Sequence, residues 1–176
     1  METMFANASV FNKDINTKQV NVNGQIYTAW DVSNVTNMRY MFIDATAFNQ
    51  DIGDWNVSKV TNMEHMFRLA TTFNQDIGDW NVSNVTNMNY MLGANVFNQD
   101  IGDWNVSKVT TMNGMFRDST IFNQEIRGWD VSNVNNFVDM FFNATAFNEE
   151  YNPDAPVTVA FFTVPLTNDN IGTEVA

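Results

Sequence analysis

The sequence lacks several of the groups on which common protein functions depend. None of its 176 residues is cysteine, which excludes disulfide bonds and thiolate metal sites. Only eight basic residues stand against twenty acidic ones, and the net charge of −12 argues against nucleic acid and anionic membranes as partners. No apolar run approaches the roughly 20 residues of a membrane-spanning helix. Hydrophobic residues nevertheless make up 44% of the chain, which is enough for a packed core and argues against disorder.

The dominant feature that is present is a repeated block. FNQDIGDWNVSKVTNMEHMF at 48–67 returns almost unchanged at 73–92 and at 97–116, and in a weaker form at 122–141. Five tryptophans mark the period, with spacings of 25, 25, 24 and 25 residues: Trp30, Trp55, Trp80, Trp104 and Trp129. A fixed period of this length indicates a stack of similar units, each of which buries its apolar face only against its neighbours.

Each repeat combines two kinds of hydrophobic spacing. The pattern Ile77-x-x-Trp80-x-Val82 matches that of leucine-rich repeats, in which a short strand points alternate residues inward. In the preceding copy, four later apolar residues have helical spacing: Met63, Met66, Phe67 and Ala70. We therefore predict a leucine-rich-repeat-like solenoid over residues 1–151. Each repeat should contain a short parallel strand and a short α- or 3-10 helix, and the tryptophans should form one buried ladder.

Two segments depart from the repeat. Between residues 18 and 30, alternating runs flank Asn23-Gly24, which is a strong signal for a β-hairpin, either a specificity element or a decoration. Residues 152–176 are predicted to form a linker and then a strand over 157–164, which either caps the last repeat or begins a further domain. Because residues 1–5 are in register with 38–42, the chain opens in mid-repeat, and we expect it to be a piece of something longer.

Catalytic chemistry has little support in the sequence. The single histidine, His65, occupies a position that other copies fill with Tyr40, Tyr90, Gly114 or Asp139, which indicates a variable surface position. No set of nucleophile, base and orienting group is apparent, and no glycine-rich phosphate loop is present. We therefore predict that the protein is not an enzyme.

The string W-[DN]-V-S-x-V-T-x-M-x-x-M-F, preceded by F-N-x-[DE]-I, resembles the repeats of the BspA-like leucine-rich-repeat surface proteins of bacteria. These include the repeat of unknown function in mycoplasma lipoproteins. The resemblance extends over residues 1–151, apart from the predicted hairpin. It implies an extracellular or cell-surface protein that takes part in adhesion and binds an extracellular protein or glycan, without catalytic residues. The alternative is a structural subunit of an extracellular filament, sheath or surface layer that self-associates through the solenoid ends or the C-terminal strand.

Exposed positions that recur in each repeat are the candidate sites for such a partner. Six residues at two such positions are predicted to bind it: Asp54, Asn56, Asp79, Asn81, Asp103 and Asn105. A second acidic ladder, formed by Asp51, Asp76 and Asp100, is a weaker alternative as a calcium site, because calcium is held by carboxylate and carbonyl oxygens. The simpler interpretation is that these carboxylates cap turns, and no other cofactor is predicted.

Overall fold

The computed structural model describes residues 1–151 and 157–163. These residues contain two strands and two helices: β1 (Lys18–Val22), β2 (Gln25–Ala29), α1 (Thr145–Tyr151) and α2 (Val159–Phe162). Neither of the described helices has the length and apolar character needed to cross a membrane. The copies between residues 30 and 144 consist of turns and bends, and isolated parallel bridges connect them at Asn37, Asn62, Asn87, Thr111 and Asn136.

The predicted leucine-rich-repeat-like solenoid of short parallel strands and short helices is wrong. The helix expected over residues 63–70 does not form because two residues inside it have a left-handed backbone, with φ of +56° at His65 and +61° at Leu69. The equivalent residues of the other copies have the same conformation, for example Tyr90 at +52° and Ala94 at +53°. A right-handed helix cannot continue through such residues, so this part of each repeat is a series of turns.

The expected strand is also replaced by turns. The backbone N–H of Trp80 donates to the carbonyl of Ile77 at 3.1 Å, and that of Val85 donates to Val82 at 2.9 Å. Both bonds reach three residues back, which is the pattern of a β-turn and not of a strand. The repeats stack on one another, but each layer is built of turns.

One side of the stack is held together by backbone hydrogen bonds, and we call it the turn ladder (residues 38–44, 63–69, 88–94, 112–118 and 137–143). In one copy, alternate N–H groups donate to carbonyls of the next copy over 2.8–3.0 Å: Met63 to Asn87, His65 to Asn89, Phe67 to Met91 and Leu69 to Gly93. An intervening N–H, that of Met66, donates three residues back to Met63 at 3.1 Å. Backbone-to-backbone bonds therefore join the copies here, and a few side chains add to them, such as that of Asn89, whose oxygen accepts the backbone N–H of Asn113 at 2.8 Å.

The core consists of side-chain ladders that run through the stack. Four of the tryptophans, Trp55, Trp80, Trp104 and Trp129, are at most 4% exposed, so the predicted buried ladder is confirmed for them. Trp30 is only partly buried. The indole N–H of each buried tryptophan donates to an isoleucine carbonyl of the preceding copy over 3.0–3.1 Å. These bonds satisfy a buried polar group and fix each indole against the neighbouring layer.

The hairpin lies where Asn23-Gly24 predicts it. β1 and β2 pair antiparallel with Val20 opposite Tyr27 and Val22 opposite Gln25. Asn23 and Gly24 have φ of +55° and +84°, as a type I′ turn requires. The hairpin interrupts the chain between Ile15 and Trp30, while the rest of the repeat keeps its place in the stack.

The described part of the C-terminal segment packs on the last repeat. Phe162 is 5% exposed and its ring lies 5.7 Å from that of Phe137, while Phe161 lies 6.0 Å from Phe141. The strand predicted over 157–164 is wrong, because Val159–Phe162 is a short helix. Adjacent residues of a strand point to opposite faces, whereas this helix lets Phe161 and Phe162 both contact the repeat. The predicted linker at 152–156 and residues 164–176 lie outside the described residues.

Candidate functional site

The six predicted partner-binding residues lie on the side of the stack that we call the constant side (residues 48–58, 73–83, 97–107 and 122–132). All six are exposed: Asp54, Asn56, Asp79, Asn81, Asp103 and Asn105. The asparagines, however, are occupied by their own turns. The side-chain oxygen of Asn81 accepts hydrogen bonds from the backbone N–H of Ser83 at 3.2 Å and from its hydroxyl at 2.7 Å. Asn56 and Asn105 bond their serines in the same way. Partner binding by these six residues remains a prediction.

The second acidic ladder also caps turns. One carboxylate oxygen of Asp51, Asp76 and Asp100 accepts the backbone N–H two residues later, each over 2.9 Å. Among the residues that the structure describes, no three His, Cys, Asp or Glu side chains gather in a group that could hold a metal ion. Each acidic residue of this ladder therefore has a local structural role, and the geometry adds no support for calcium.

Close approach of the backbone explains why the constant side repeats its sequence so strictly. A Cβ atom on Gly78 would lie 2.7 Å from the carbonyl oxygen of Asp100 in the next copy, and one on Gly102 would lie 2.8 Å from that of Glu125. No larger residue fits at these two positions without moving the adjacent layer. Nearby, the side-chain oxygen of Asn74 accepts the backbone N–H of Asn98 at 2.8 Å. Glycine and asparagine recur here because the stacking requires them.

The turn ladder presents the opposite pattern, since its outward positions differ from copy to copy. We call these positions the variable face. There are four such positions in each copy. In successive copies the first position holds Arg39, Glu64, Asn89, Asn113 and Val138, and the second holds Tyr40, His65, Tyr90, Gly114 and Asp139. The third holds Ile43, Arg68, Gly93, Arg117 and Phe142, and the fourth holds Asp44, Leu69, Ala94, Asp118 and Asn143. Between them, Met41, Met66, Met91, Met115 and Met140 are all buried. The repeat therefore keeps its inward residues and varies its outward ones.

An aromatic column occupies the first three copies of the variable face. The His65 ring lies between those of Tyr40 and Tyr90, with 4.9 Å between ring centroids on each side and interplanar angles of 25° and 6°. Arginines cover the column: the guanidinium carbon of Arg39 lies 4.4 Å from the Tyr40 ring centre, and that of Arg68 lies 5.2 Å from the Tyr90 ring centre. Because the rings cover one another's faces, the column offers ring edges, hydroxyl groups and guanidinium groups to a partner.

Ion pairs fix the side chains around this column. Nε of Arg39 lies 2.8 Å from a carboxylate oxygen of Glu64, and the Tyr40 hydroxyl lies 3.0 Å from the same guanidinium group. Further along, Arg117 pairs with Asp139 and lies 3.4 Å from Asp118. Pairs this exposed contribute at most about 1 kcal/mol to folding, so their main effect is to orient the arginines.

Burial keeps His65 uncharged near neutral pH. Its side chain is 14% exposed, and loss of solvent together with the nearby charge of Arg68 lowers the pKa of His65 below its usual 6.5. The opposing attraction of Glu64, whose carboxylate lies 3.7 Å from Nε2, is the smaller effect. At neutral pH the column therefore places an uncharged imidazole between two tyrosine rings, and Arg39 and Arg68 lie against those rings.

The aromatic column ends at Gly114, where the Tyr90 ring fills the space of the missing side chain. A Cβ on Gly114 would overlap three carbon atoms of that ring. Gly114 also has φ of +57°, a conformation that glycine adopts without strain. Tyr90 and Gly114 thus form a matched pair across two neighbouring copies.

The stacked repeats match the profile of one protein family, described as "Mycoplasma protein of unknown function, DUF285", over residues 18–106 and 92–160. The chain belongs to the DUF285 family. No curated protein matches this DUF285 chain. No solved structure matches it either. The family assignment agrees with a mycoplasma-type repeat and leaves the activity open.

The variable face is a candidate site that reasoning from sequence missed, although its signal was present. The differences between Tyr40, His65, Tyr90, Gly114 and Asp139 are visible in the repeat and were used only to argue against a catalytic histidine. Repetition drew attention to Asp54 and its equivalents instead. In this DUF285 chain, many repeated residues, such as Asn74, Gly78 and Trp80, hold the layers together, whereas the residues of the variable face differ among copies.

Proposed function

We propose that the chain is a non-enzymatic, cell-surface or secreted repeat module that binds an extracellular protein or glycan through its variable face. The observation that carries the proposal is the contrast between nearly invariant inward residues and outward positions that each hold at least three different residue types among the five copies. A surface that only had to fold and stay soluble would have no need of tyrosine, histidine and arginine at these positions. Tyrosine and arginine are the residues over-represented among binding hot spots.

The arrangement of the face also supports binding. Tyr40, His65 and Tyr90 hold one another in place by stacking, so little side-chain entropy is lost when a partner docks. The resemblance to BspA-like surface proteins supports an adhesive role and an extracellular or cell-surface location. The proposed class of partner and the proposed location are both supported by this resemblance.

A binding experiment with two matched triple variants tests the proposal. Labelled chain is applied to a panel of extracellular matrix proteins and to a glycan array, as wild type and in two variants. The first replaces the column (Tyr40→Asn, His65→Asn and Tyr90→Asn), because asparagine tolerates a left-handed backbone better than most residues. The second replaces the exposed carboxylates of the constant side (Asp54→Asn, Asp79→Asn and Asp103→Asn).

We expect the column variant to lose at least about tenfold in affinity, since it removes two or three hot-spot side chains. The carboxylate variant should bind as wild type does. If instead only the carboxylate variant loses affinity, the binding site lies on the constant side, as predicted from the sequence. If the wild type binds nothing on the panel but assembles end to end in sedimentation, the structural-subunit alternative is correct.

A further inference from the structure

The β1–β2 hairpin carries three of the exposed large apolar side chains in the described part of the chain. Ile26 is 68% exposed, Val22 53% and Tyr27 50%. The hairpin is a two-stranded sheet, and no third strand pairs with it in residues 1–151 or 157–163. An isolated two-stranded ribbon is only marginally stable in water, so an additional strand along a free edge would stabilise it.

The hairpin also lacks the features that normally protect an exposed edge. Proteins guard such edges with charged residues, proline or bulges. Residues 19–30 contain no charged residue and no proline, although the whole chain carries a net charge of −12. Lys18, at the start of β1, is paired with Asp14 and so adds no net charge to the ribbon. The register from Lys18–Ala29 to Val22–Gln25 is regular, so no bulge interrupts the edge.

The charge distribution makes the hairpin the place where a second copy of this chain can approach with little repulsion. Two chains of net charge −12 repel each other, and the repulsion is smallest where the approaching surfaces are neutral. Two copies of the same strand can pair antiparallel across a two-fold axis, so the identical edges of two chains are complementary. Pairing of β2 with β2 about a two-fold axis uses the β2 edge of both copies, so this contact closes the assembly as a dimer.

We propose that the hairpin is a self-association site, through which the β2 strands of two copies pair antiparallel into one four-stranded sheet. β2 is chosen over β1 because it carries Ile26 and Tyr27, two of the three most exposed apolar residues of the hairpin. Ile26 and Tyr27 point to opposite faces of the sheet, so pairing partly covers an apolar side chain on each face. The contact is small and built on main-chain hydrogen bonds, and it gives a dimer that dissociates on dilution.

The test measures the mass of the full chain by sedimentation velocity over a concentration series at low and high salt. Wild type should shift from monomer to dimer with concentration, and salt should strengthen the dimer because it screens the net charge. Ile26→Glu places two like charges near each other across the two-fold axis and should weaken the dimer at least about tenfold. Val10→Glu is the matched control, since Val10 is 91% exposed and lies outside the hairpin, and it should dimerise as wild type does.

A deletion of residues 18–29 provides a second variant. It leaves Ile15-Asn16-Thr17-Trp30, which has the spacing of Ile52-Gly53-Asp54-Trp55, so the repeat can close without the hairpin. This variant should be monomeric, and if it fails to fold, Ile26→Glu decides. Wild type that stays monomeric at every concentration and salt overturns the proposal. A dimer that survives Ile26→Glu and polymers larger than a dimer also overturn it.

Discussion

The constant side and the turn ladder belong to the same repeats, yet they connect neighbouring copies by different means. On the constant side, side chains make the connections: the Asn74 oxygen receives the N–H of Asn98, and the Trp80 indole donates to the carbonyl of Ile52. On the turn ladder, backbone N–H groups such as that of Met63 donate directly to backbone carbonyls of the next copy.

This difference explains where the sequence is free to change. A connection made by a side chain fixes the residue type, so asparagine, tryptophan and glycine recur on the constant side. A connection made by the backbone is open to almost any residue, so the outward positions of the turn ladder can vary at little cost to folding. Side-chain stacking contacts and sequence variation are therefore found on different parts of each repeat, and we expect substitutions in the two parts to differ in their effect on stability.

The largest effect is expected from removing a constant tryptophan. Trp80→Ala should lower the free energy of unfolding by about 3–5 kcal/mol, because it empties a buried site and removes the hydrogen bond to the Ile52 carbonyl. Urea unfolding followed by circular dichroism measures the change. Trp30→Ala should cost less, since Trp30 is only partly buried. Equal costs would contradict the assignment of the ladder to the core.

A smaller loss is expected where backbone approaches backbone on the constant side. Gly78→Ala should destabilise by about 1–3 kcal/mol, because the added carbon would lie 2.7 Å from the Asp100 carbonyl and force the layers apart. Gly128→Ala is the matched control, since nothing lies within 4 Å of the position of its added carbon. Thermal melts of both variants compare the two sites directly, and a similar loss in both would contradict the proposed crowding.

The turn ladder should tolerate changes that the constant side does not. Arg68→Ala is expected to change the free energy of unfolding by no more than about 0.5 kcal/mol, because Arg68 lies on the variable face and the backbone bonds beneath it remain. Ile77→Ala, a change to a buried residue of the constant side, should cost about 2–5 kcal/mol. A large loss on Arg68→Ala in the same unfolding assay would show that this face is structural.

The smallest effect concerns pH. The pKa of His65 is lower in the folded chain than its usual 6.5, so below pH 6.5 the unfolded chain binds a proton that the folded chain does not. Stability should therefore fall as the pH drops through 6.5 and level off below the folded pKa. His65→Asn should remove this slope between pH 7 and about pH 5.5, where carboxylates titrate little. Melting temperatures over that range provide the test, and an unchanged slope would assign it to another group.

The sequence predicts the order of the repeats and their core but not the conformation of each layer. The tryptophan spacing and the Asn23-Gly24 signal depend on strong local rules, and the structure has a buried ladder and a hairpin at those places. Helical spacing of Met63, Met66 and Phe67 suggested a helix, because periodicity records which residues face inward and not how the backbone turns between them. The left-handed conformation has no signal at Leu69 itself, but the same position holds Asp44, Asp118 and Asn143 in other copies, which are residue types that favour it.

The fit of Tyr90 to Gly114 bears on how nearly identical copies find their correct neighbours during folding. Copies with the same sequence can stack out of order, and each misplaced layer would trap a partly folded chain. The Tyr90 ring occupies the space that a side chain at position 114 would need, so in this conformation the third copy requires a glycine in the copy that follows it. The contact between Tyr90 and Gly114 thereby distinguishes this pair of neighbouring copies, whereas the nearly identical remainder of the repeat does not. Gly114→Ala should therefore slow refolding more than it accelerates unfolding.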